Sequence, residues 1–400
     1  MNATRRTPRL RFPEFTGEWQ EKRLGEVFDA ARGSSLSWGD IEADGKNKAI
    51  LYGQLYTIYP EVVSQVVSRT NSNKGTPSKN GDLLLPNSTT TTGIDLANAT
   101  ALNEDGVLLG GDITILRFKE TGSSIFYAYY LSHFMKYKLA AYGQGSTIVH
   151  MYFSQYKNMK IVEPSVAEQQ KIAVFLAAVD KRVALLERKV QQLEAYKHGV
   201  MQQLFSQQLR FTRPDGSHFP VWEKKQLGEV FLERSDRGIP GEMLSVTIAN
   251  GVVPFSSIDK KDNSNPDKSK YKSVVKGDIV YNTMRMWQGA SGLAVSSGIC
   301  SPAYTVVIPK RGQLGLFWSY RIKNQDAINL FQRWSQGLTT DTWNLKFPAF
   351  SKLEFYCPSE QEQQKIAAFL SALDEKIALT RQQLDKTKQF KKGLLQRMFV

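Results

Sequence analysis

Side chains that donate or accept hydrogen bonds are concentrated in four segments, residues 86–93, 143–152, 282–289 and 336–346, each of which contains glycine. Amide and guanidinium groups can make paired hydrogen bonds to the edges of bases, whereas hydroxyl groups and lysine suit phosphate. These residue types therefore predict contact with DNA. The candidate DNA-contact residues, which include one lysine ahead of the first segment, are Lys79, Asn87, Thr89, Thr90, Gln144, Ser146, Thr147, His150, Tyr152, Asn282, Arg285, Trp287, Gln288, Gln336, Thr339, Thr340 and Asn344.

Polar loops also form the ordinary surface of proteins, so any one of these residues taken singly is more typical of a solvated side chain. Arg285 and Gln288 are the strongest candidates because they lie beside Trp287. A tryptophan within a polar, glycine-containing loop is unusual unless it packs against another group or stacks on one.

The balance of charge points to a polyanionic partner. Lysine and arginine total 52 against 38 aspartate and glutamate residues, which gives a net charge of +14. Nucleic acid is the first candidate partner, and a membrane surface is the second. However, no apolar run approaches the length of a membrane span, and residues 1–6 lack the apolar core of a signal peptide. We therefore predict a cytoplasmic protein whose partner is a nucleic acid and not a membrane.

Catalytic motifs are nearly absent from the sequence. It contains no phosphate-binding loop of the form G-x-x-x-x-G-K-[ST], no H-E-x-x-H zinc motif and no glycine fingerprint before a helix. Cys300 and Cys357 are far apart and predict neither a disulfide nor a zinc site. The histidines are too scattered to indicate a metal site. We therefore predict that the chain itself holds no metal or cofactor and has no catalytic residues.

One short match to a metal-dependent nuclease pattern has a simpler explanation. Asp215 follows a proline and precedes Glu223 and Lys225, which gives paired carboxylates and a lysine. Residues 214–217, however, have the sequence Pro-Asp-Gly-Ser, which is typical of a tight turn. The matching part of the first half, near Trp19, lacks the Pro-Asp pair, so we interpret the match as structural.

Two long segments with helical periodicity, residues 168–205 and 362–399, follow the loop-bearing regions. Their apolar residues recur at alternating intervals of four and three, which is typical of a helix that packs against another helix. The segments align without a gap at roughly 16 identical positions of about 38, which indicates an internal repeat. We expect them to pair with each other through residues that include Ile172, Leu176, Val183, Lys197, Ile366, Leu370, Ile377 and Lys391.

Both segments place a lysine, Lys197 or Lys391, where the pattern calls for an apolar residue. A polar residue in such a seam weakens a coiled coil but disfavours wrong registers, so the matched lysines indicate that register matters. The alternative is that each lysine extends its charged group to solvent near a helix end. The sequence does not decide between the two.

The repeat extends beyond the helices. Leu-Gly-Glu-Val-Phe occurs at residues 24–28 and 227–231, and Gly-Asp followed by apolar residues occurs at 81–84 and 277–280. The Gly-Asp pairs predict turns that lead into buried strands. Each half is therefore expected to be a globular α/β region of about 160 residues, within the usual size of a domain, followed by a long helix.

Together these motifs resemble the specificity subunit of type I restriction-modification systems. The resemblance rests on a repeated helix start, Glu-Gln-Gln-Lys-Ile-Ala at 168–173 and 362–367, on a repeated Lys-x-Gly at 197–199 and 391–393, and on the duplicated Leu-Gly-Glu-Val-Phe. Each motif alone is weak, but together they cover essentially the whole chain. The resemblance implies a non-catalytic subunit that recognises DNA sequence.

The fold implied by the resemblance is α+β, with two α/β target recognition domains in a pseudo-two-fold arrangement, separated by two long antiparallel coiled-coil helices. Residues 1–165 are expected to form target recognition domain 1, and residues 208–359 are expected to form target recognition domain 2. Residues 166–207 and 360–400 are expected to form the conserved spacer helices. The recognition domains of this family diverge, so its DNA-contact residues do not carry over, and the candidates above rest on loop chemistry.

The resemblance also implies partners. The two helices would dock two copies of a type I DNA methyltransferase subunit, which brings S-adenosylmethionine and the chemistry of adenine N6 methylation. Motor-nuclease restriction subunits, which use ATP and Mg²⁺, would join the complex. The remaining partner is double-stranded DNA, and each target recognition domain would read one half of a bipartite, asymmetric site on it.

Two other classes of function are compatible with parts of the sequence. One is a DNA-modifying enzyme, a nuclease or methyltransferase, with catalysis in one domain; the missing motifs argue against it. The other is a coiled-coil interaction scaffold in which the positive charge is incidental. DNA binding that weakens steeply with salt would separate a DNA-reading protein from such a scaffold.

The length of the helices predicts a further property. A helix of about 38 residues spans roughly 57 Å, comparable with one and a half turns of B-DNA. If helix length sets the gap between two half-sites, four extra residues between Gln203 and Leu209 are expected to widen that gap by one or two base pairs of roughly 3.4 Å.

Overall fold

The chain forms two compact units in the computed structural model, which describes residues 6–238, 240–259, 261 and 264–400. Unit 1 comprises Met1–Arg188 and Arg381–Val400, and unit 2 comprises Lys189–Thr380. Each unit therefore combines one α/β region with parts of both long helices.

The elements of unit 1 are short apart from its long helix. The strands are β1 (Gln20–Arg23), β2 (Phe28–Arg32), β3 (Asn47–Ile50), β4 (Ser68–Thr70), β5 (Thr76–Pro77), β6 (Asp82–Pro86), β7 (Ser88–Thr89), β8 (Thr100–Leu102), β9 (Leu108–Leu109), β10 (Ile113–Phe118), β11 (Val149–His150) and β12 (Lys160–Glu163). The helices are α1 (Leu24–Val27), α2 (Gln54–Thr57), α3 (Gly93–Leu96), α4 (Ser124–Tyr129), α5 (Lys136–Ala140), α6 (Phe153–Tyr156) and the long α7 (Val166–Phe205).

Two four-stranded sheets form the α/β region of unit 1. One is antiparallel with the order β2-β10-β6-β8, and the other has the order β4-β3-β9-β5 with β3 and β9 parallel. Side chains alternate along β6, so Leu83 and Leu85 pack in a core with Phe126 of α4, whereas Leu84 packs with Ile115 in a second core. The β2-β10-β6-β8 sheet is therefore buried on both faces.

Unit 2 has a similar order of elements with fewer strands. Its strands are β13 (Glu223–Gln226), β14 (Phe231–Glu233), β15 (Met243–Thr247), β16 (Gly251–Pro254), β17 (Lys272–Val274), β18 (Ile279–Asn282), β19 (Ser291–Leu293), β20 (Gly298–Cys300), β21 (Tyr304–Pro309) and β22 (Glu354–Cys357). Its helices are α8 (Leu227–Val230), α9 (Gly315–Arg321), α10 (Gln325–Trp334), α11 (Phe347–Phe350) and the long α12 (Glu360–Arg397), which runs on into unit 1.

The sheets of unit 2 correspond to those of unit 1. The antiparallel sheet has the order β14-β21-β18-β19, and the mixed sheet has the order β16-β15-β20-β17 with β15 and β20 parallel. Ile279 and Tyr281 of β18 pack on one face with Phe317 of α9, and Val280 packs on the other with Val306. The Gly-Asp repeats thus lead into buried central strands, as the sequence predicts.

The first turn of each long helix contains a buried glutamate, Glu168 or Glu362, that accepts hydrogen bonds from the start of its own repeat. In unit 1, the Glu168 carboxylate, 1 % exposed, accepts two hydrogen bonds from Arg11, both 2.7 Å, and one from the Trp19 indole at 3.4 Å. The repeated motif at the helix start therefore fixes the chain that enters the domain.

Unit 2 has the same arrangement. Glu362 is fully buried and accepts hydrogen bonds from Arg210 at 3.1 and 2.7 Å and from the Trp222 indole at 2.9 Å. Because charged and indole donors satisfy each buried carboxylate, both glutamates are retained inside the fold without an unpaired charge.

Four of the eight predicted pairing residues lie in the cores where the two long helices meet. In unit 1, Ile172 and Leu176 of α7 share a core with Leu394 and Met398 of α12, and that core includes the α/β region. The helices therefore pack on the adjacent domain as well as on each other. In unit 2 the core holds Ile366, Leu370, Val200 and Leu204; Ile377 is buried, and Val183, Lys197 and Lys391 are half-buried.

The helix segments of unit 1 run antiparallel. Lys391 bonds Asp180 at 2.7 Å and Lys388 bonds Glu187 at 2.7 Å. Residue numbers on α7 therefore increase as the numbers of their partners on α12 decrease. Among the described residues, every helix is too short or too polar to span a lipid bilayer.

Lys197 and Lys391, the lysines at apolar positions of the helix seam, each form a cluster with one aspartate and one tyrosine. In unit 2, Lys197 bonds Asp374 at 2.5 Å, and the Tyr320 hydroxyl donates to the same carboxylate at 2.7 Å. The ammonium lies 5.0 Å from the centre of the Tyr320 ring, a cation–π distance. In unit 1, Lys391, Asp180 and Tyr129 repeat these contacts.

Candidate nucleic-acid interface

The loop after β18 in unit 2 is held by its own backbone. The Asn282 side chain accepts a hydrogen bond from the Met284 amide at 3.0 Å, and the Asn282 carbonyl accepts from the Arg285 amide at 3.0 Å. A 3₁₀ turn, Met286–Gln288, follows and ends at Gly289 with φ 85°, a conformation that favours glycine. Because Met286 is fully buried, the turn is anchored to the core.

The second loop of unit 2 closes on itself and then joins the first. Gln336 and Asn344 exchange backbone hydrogen bonds, both 2.9 Å. Gly337 has φ 155°, and a Cβ there would meet the Thr342 carbonyl carbon at 2.7 Å, so a side chain is excluded. The Leu345 amide donates to the Thr283 carbonyl at 2.8 Å, which holds the two loops together.

Side chains from the two loops also meet. Trp287 and Trp343 pack edge to face with ring centroids 5.4 Å apart, so the tryptophan singled out by its unusual setting packs against another aromatic residue. The Arg285 guanidinium lies 3.8 Å from the Asp341 carboxylate. The structure thus brings the strongest sequence candidates into one place.

The candidates of unit 2 differ in accessibility. Gln288, Gln336, Thr339 and Thr340 are exposed, and Asn282, Arg285, Trp287 and Asn344 are half-buried. The Asn344 amide donates to two backbone carbonyls, those of Gln336 at 3.1 Å and Thr342 at 3.3 Å, so it also supports its own loop.

Unit 1 has the corresponding pair of loops. Gln144 and His150 exchange backbone hydrogen bonds of 2.9 and 2.7 Å, and Gly145 has φ 123°. Strand β11 of this loop pairs with β7 of the other, and the Met151 amide donates to the Asn87 carbonyl at 2.8 Å. Gln144, Ser146, Thr147 and Thr90 are exposed, and His150 and Tyr152 are half-buried.

Two predicted contacts in unit 1 lie inside the protein. Asn87, 1 % exposed, accepts a hydrogen bond from Thr114 at 2.5 Å, and Thr89, 2 % exposed, bonds Thr91 at 2.8 Å. Both side chains are therefore buried and already engaged by other residues of unit 1. We therefore leave Asn87 and Thr89 out of the proposed interface.

Lys79 is exposed but lies away from the other candidates. It precedes β6, whereas Thr90 follows the far end of that strand and β7. Lys79 instead lines a cleft of about 530 Å³ with Arg117, Val166 and Gln170, beside the start of α7. The structure separates this lysine from the loop pair, and we leave it out of the proposed interface as well.

Arg32 joins the unit 1 loops, although sequence reasoning missed it. Its guanidinium lies 4.6 Å from the centre of the Tyr152 ring, and that ring stacks on His150 at 5.8 Å. Arg32 ends β2 and pairs with Thr114 near the start of β10, so strand pairing places it at the edge that carries the loops. Without that register the sequence offers no signal for a lone arginine.

The short match to a nuclease pattern has a structural role in the part of the chain that the structure describes. Asp215 accepts a hydrogen bond from the Ser217 amide at 2.9 Å in the expected tight turn, and Glu223 lies in β13, bonded to Lys225 at 2.9 Å. Across the described ranges, no group of three or more histidine, cysteine, aspartate or glutamate side chains is arranged to hold a metal ion. Cys300 and Cys357 are buried thiols, and burial raises the pKa of Cys300 to about 12.

Comparison with known proteins gives a consistent result. A family profile described as the type I restriction modification DNA specificity domain matches twice, at residues 16–195 and 221–389. The type I restriction enzyme MjaVIII specificity subunit of Methanocaldococcus jannaschii is 23% identical over 415 residues, which cover 96% of this chain and 92% of that one.

Solved structures share the fold. The type I restriction-modification S subunit from M. genitalium superposes with a TM-score of 0.61 at 14% identity, covering 98% of this chain and 99% of that one. A structure solved to explain complex assembly and conformational transition of the type I R-M system gives a TM-score of 0.51 at 16% identity, covering 95% of this chain and 97% of that one. These likenesses confirm the mixed α/β architecture with two repeats. Since the profile covers most of the sequence in two copies, the chain belongs to the type I restriction-modification DNA specificity family, whose role is recognition of DNA sequence and not catalysis.

Proposed function

We propose that this chain reads a bipartite, asymmetric DNA site, with the loop pair of each unit reading one half. The observation that carries the proposal is the recurrence of one construction with different side chains. In both units, two loops meet beyond the end of the corresponding central strand, β6 in unit 1 and β18 in unit 2. A backbone bridge closes the second loop of each pair, Gln144–His150 in unit 1 and Gln336–Asn344 in unit 2. A shared frame with unlike residues is suited to two different half-sites.

The chemistry of the loops supports direct contact with bases. Unit 2 offers Arg285, Gln288 and Gln336, and unit 1 offers Gln144 and Arg32. Arginine favours guanine and glutamine favours adenine in the major groove. The net charge of +14 supplies the attraction to phosphate that brings such a protein to DNA.

We further propose that two methyltransferase subunits dock on the chain, because a protein with an internal repeat offers one type of partner two equivalent surfaces. S-adenosylmethionine would enter with those subunits, and ATP and Mg²⁺ with motor-nuclease subunits that join the complex. The assembly would act on DNA in the cytoplasm. A scaffold without DNA binding does not account for the paired, rigid loops.

The test is the pattern of modified adenine in cells. Coexpression of this chain with its methyltransferase partner is expected to methylate adenine in one bipartite motif, and the partner expressed alone is the control. Purified free of partners, the chain is expected neither to methylate nor to cut DNA, because it carries no cofactor or metal motif. Methylation of a continuous motif, or turnover by the pure chain, would contradict the proposal.

A further inference from the structure

Arg285 projects from a turn of unit 2 that backbone hydrogen bonds hold in place. Its amide donates to the Asn282 carbonyl at 3.0 Å and its carbonyl accepts from the Ala290 amide at 3.1 Å. The next residue, Met286, is fully buried, so the turn is fixed on the core side. The backbone that carries the guanidinium is therefore already ordered before a ligand binds.

Asp341 faces this arginine from the other loop. It is the single acidic residue within 336–346, its side chain is 89 % exposed, and it lies 3.8 Å from the Arg285 guanidinium. An exposed carboxylate on a surface that approaches DNA repels phosphate. Asp341 lies beside Arg285, and the Trp287–Trp343 pair joins the same two loops. This position suits a carboxylate that orients the guanidinium.

We propose that Arg285 reads a guanine in the half-site of unit 2, through paired hydrogen bonds to O6 and N7, and that Asp341 is its positioning residue. The proposal rests on the proposed function. A planar guanidinium matches the two acceptors of guanine. A paired contact to phosphate is disfavoured at this position, because the exposed Asp341 carboxylate beside Arg285 repels phosphate. Orientation by Asp341 has value only if the direction of the N–H groups matters.

The experiment uses the complex of this chain with its methyltransferase partner and the motif found by mapping methylated adenine. Absence of a bipartite motif would overturn the proposed function and, with it, the role of Arg285. Given a motif, each guanine of the half-site assigned to unit 2 is replaced in turn by 7-deazaguanine, which removes the N7 acceptor. Binding is measured for the original protein and for Arg285→Ala.

One guanine is expected to respond. For the original protein, 7-deazaguanine at that position should weaken binding about fivefold or more, as expected for loss of part of a paired contact. For Arg285→Ala the same replacement should have no effect, because the contact is already gone. Equal losses in both proteins, no loss at any guanine, or a half-site without guanine would overturn the proposal.

Arg311→Ala is a matched control. Arg311 is exposed and follows β21, whereas Tyr304 at the start of that strand pairs with Asn282, so the two arginines lie at opposite ends of a strand about 20 Å long. Loss of Arg311 should leave the response to 7-deazaguanine unchanged. A response that vanished in Arg311→Ala as well would show a general effect of charge and overturn the assignment to Arg285.

The role of Asp341 is tested by whether its substitution strengthens or weakens DNA binding. Removing a carboxylate that only repels DNA would strengthen binding to every sequence. If Asp341 positions Arg285, Asp341→Asn should weaken binding to the specific site severalfold while binding to unrelated DNA stays equal or tightens, and Asp341→Glu should restore part of the loss. Tighter binding of Asp341→Asn to the specific site would overturn the positioning role.

Discussion

Glu61 shows how a single residue ties the α/β region of unit 1 to a long helix. Its side chain is only 12% exposed and contacts His133 of the π-helical stretch Tyr130–Phe134 and Lys391 of α12, the latter at 3.4 Å. Burial raises the pKa of Glu61, but the hydrogen bond with His133 and the charge of Lys391 lower it by more. The resulting pKa is about 2.

A pH dependence of stability follows from that pKa. The folded-state pKa of Glu61 lies below its ordinary value of 4.5, so its contribution is present above about pH 4.5 and is lost as pH falls toward 2. Glu61→Gln should destabilise unit 1 at neutral pH by up to about 3 kcal/mol. Below pH 3 the difference from the original protein should shrink.

The measurement is urea unfolding followed by pulsed hydrogen exchange, read separately from peptides of the two units. Unit 2 serves as the internal control because Glu61 belongs to unit 1. An unchanged difference between pH 7 and pH 3 would show that the ionised carboxylate does not stabilise the fold.

For single residues, the sequence could predict which side chains suit contact with DNA, but it could not predict which of them are exposed. Trp287 was recognisable because an aromatic residue in a polar loop needs a partner, and it packs on Trp343. Asn87 looked equally suitable for DNA, yet it is buried and bonds Thr114 of β10, which is distant in the sequence. Arg32 was missed for the same reason, since only strand pairing places it beside Tyr152.

The seam lysines belong to the scale of the helices. The two interpretations that the sequence left open differ in what a lysine contacts. Lys197 and Lys391 are about one-fifth exposed, and each bonds a carboxylate that also accepts a hydrogen bond from a tyrosine of the α/β region. These contacts favour a lysine that fixes register over one that reaches solvent.

Replacing each lysine with methionine tests this role and compares the two repeats. A lysine that only extends to solvent would be replaced by methionine without loss, because an apolar residue fits the seam. We expect Lys391→Met to cost about 2–4 kcal/mol in unit 1, since it leaves the buried Glu61 without its cation. Lys197→Met should cost about 1 kcal/mol, because its partner Asp374 is 44% exposed.

The readout is the free energy of unfolding of each unit, with Lys392→Met as the control because Lys392 is adjacent to Lys391 and exposed. The control should change stability by less than about 0.5 kcal/mol. Equal or increased stability in Lys391→Met would restore the interpretation in which the lysine only reaches solvent.

At the scale of the whole molecule, the repeat in the sequence was the most informative signal. The duplicated motifs predicted two α/β regions, each followed by a long helix, and the helices run from Val166 to Phe205 and from Glu360 to Arg397. The sequence could not show that each helix is shared between two compact units, because that depends on which distant residues it contacts. The division falls after Arg188 in α7 and after Thr380 in α12.

That division changes where the helix length should be tested. An insertion between Gln203 and Leu209 would fall at the end of α7, where Leu204 and Phe205 are already packed in the core of unit 2. Such an insertion would alter a turn inside unit 2 and would not lengthen the helix between the units. Four residues should instead be added to both helices, after Arg188 and after Thr380.

The expected result is a wider gap between unchanged half-sites. Four residues add about 6 Å of helix and a net rotation of about 40°, close to the rise and twist of one or two base pairs. Adding them to both helices keeps the seams matched, and coiled coils absorb an insertion of four by local unwinding. The gap in the methylated motif should therefore grow by one or two base pairs.

Mapping methylated adenine in cells provides the measurement, and the same four residues inserted between Asp215 and Gly216 provide the control. That site is an exposed turn within unit 2, closed by a 2.8 Å hydrogen bond from the Arg213 amide to the Ser217 carbonyl, so the gap should not change. An active helix variant with an unchanged gap would show that helix length does not set the spacing. A changed half-site would show that the helices also influence base recognition, because only the distance between the loop pairs should respond to added helix.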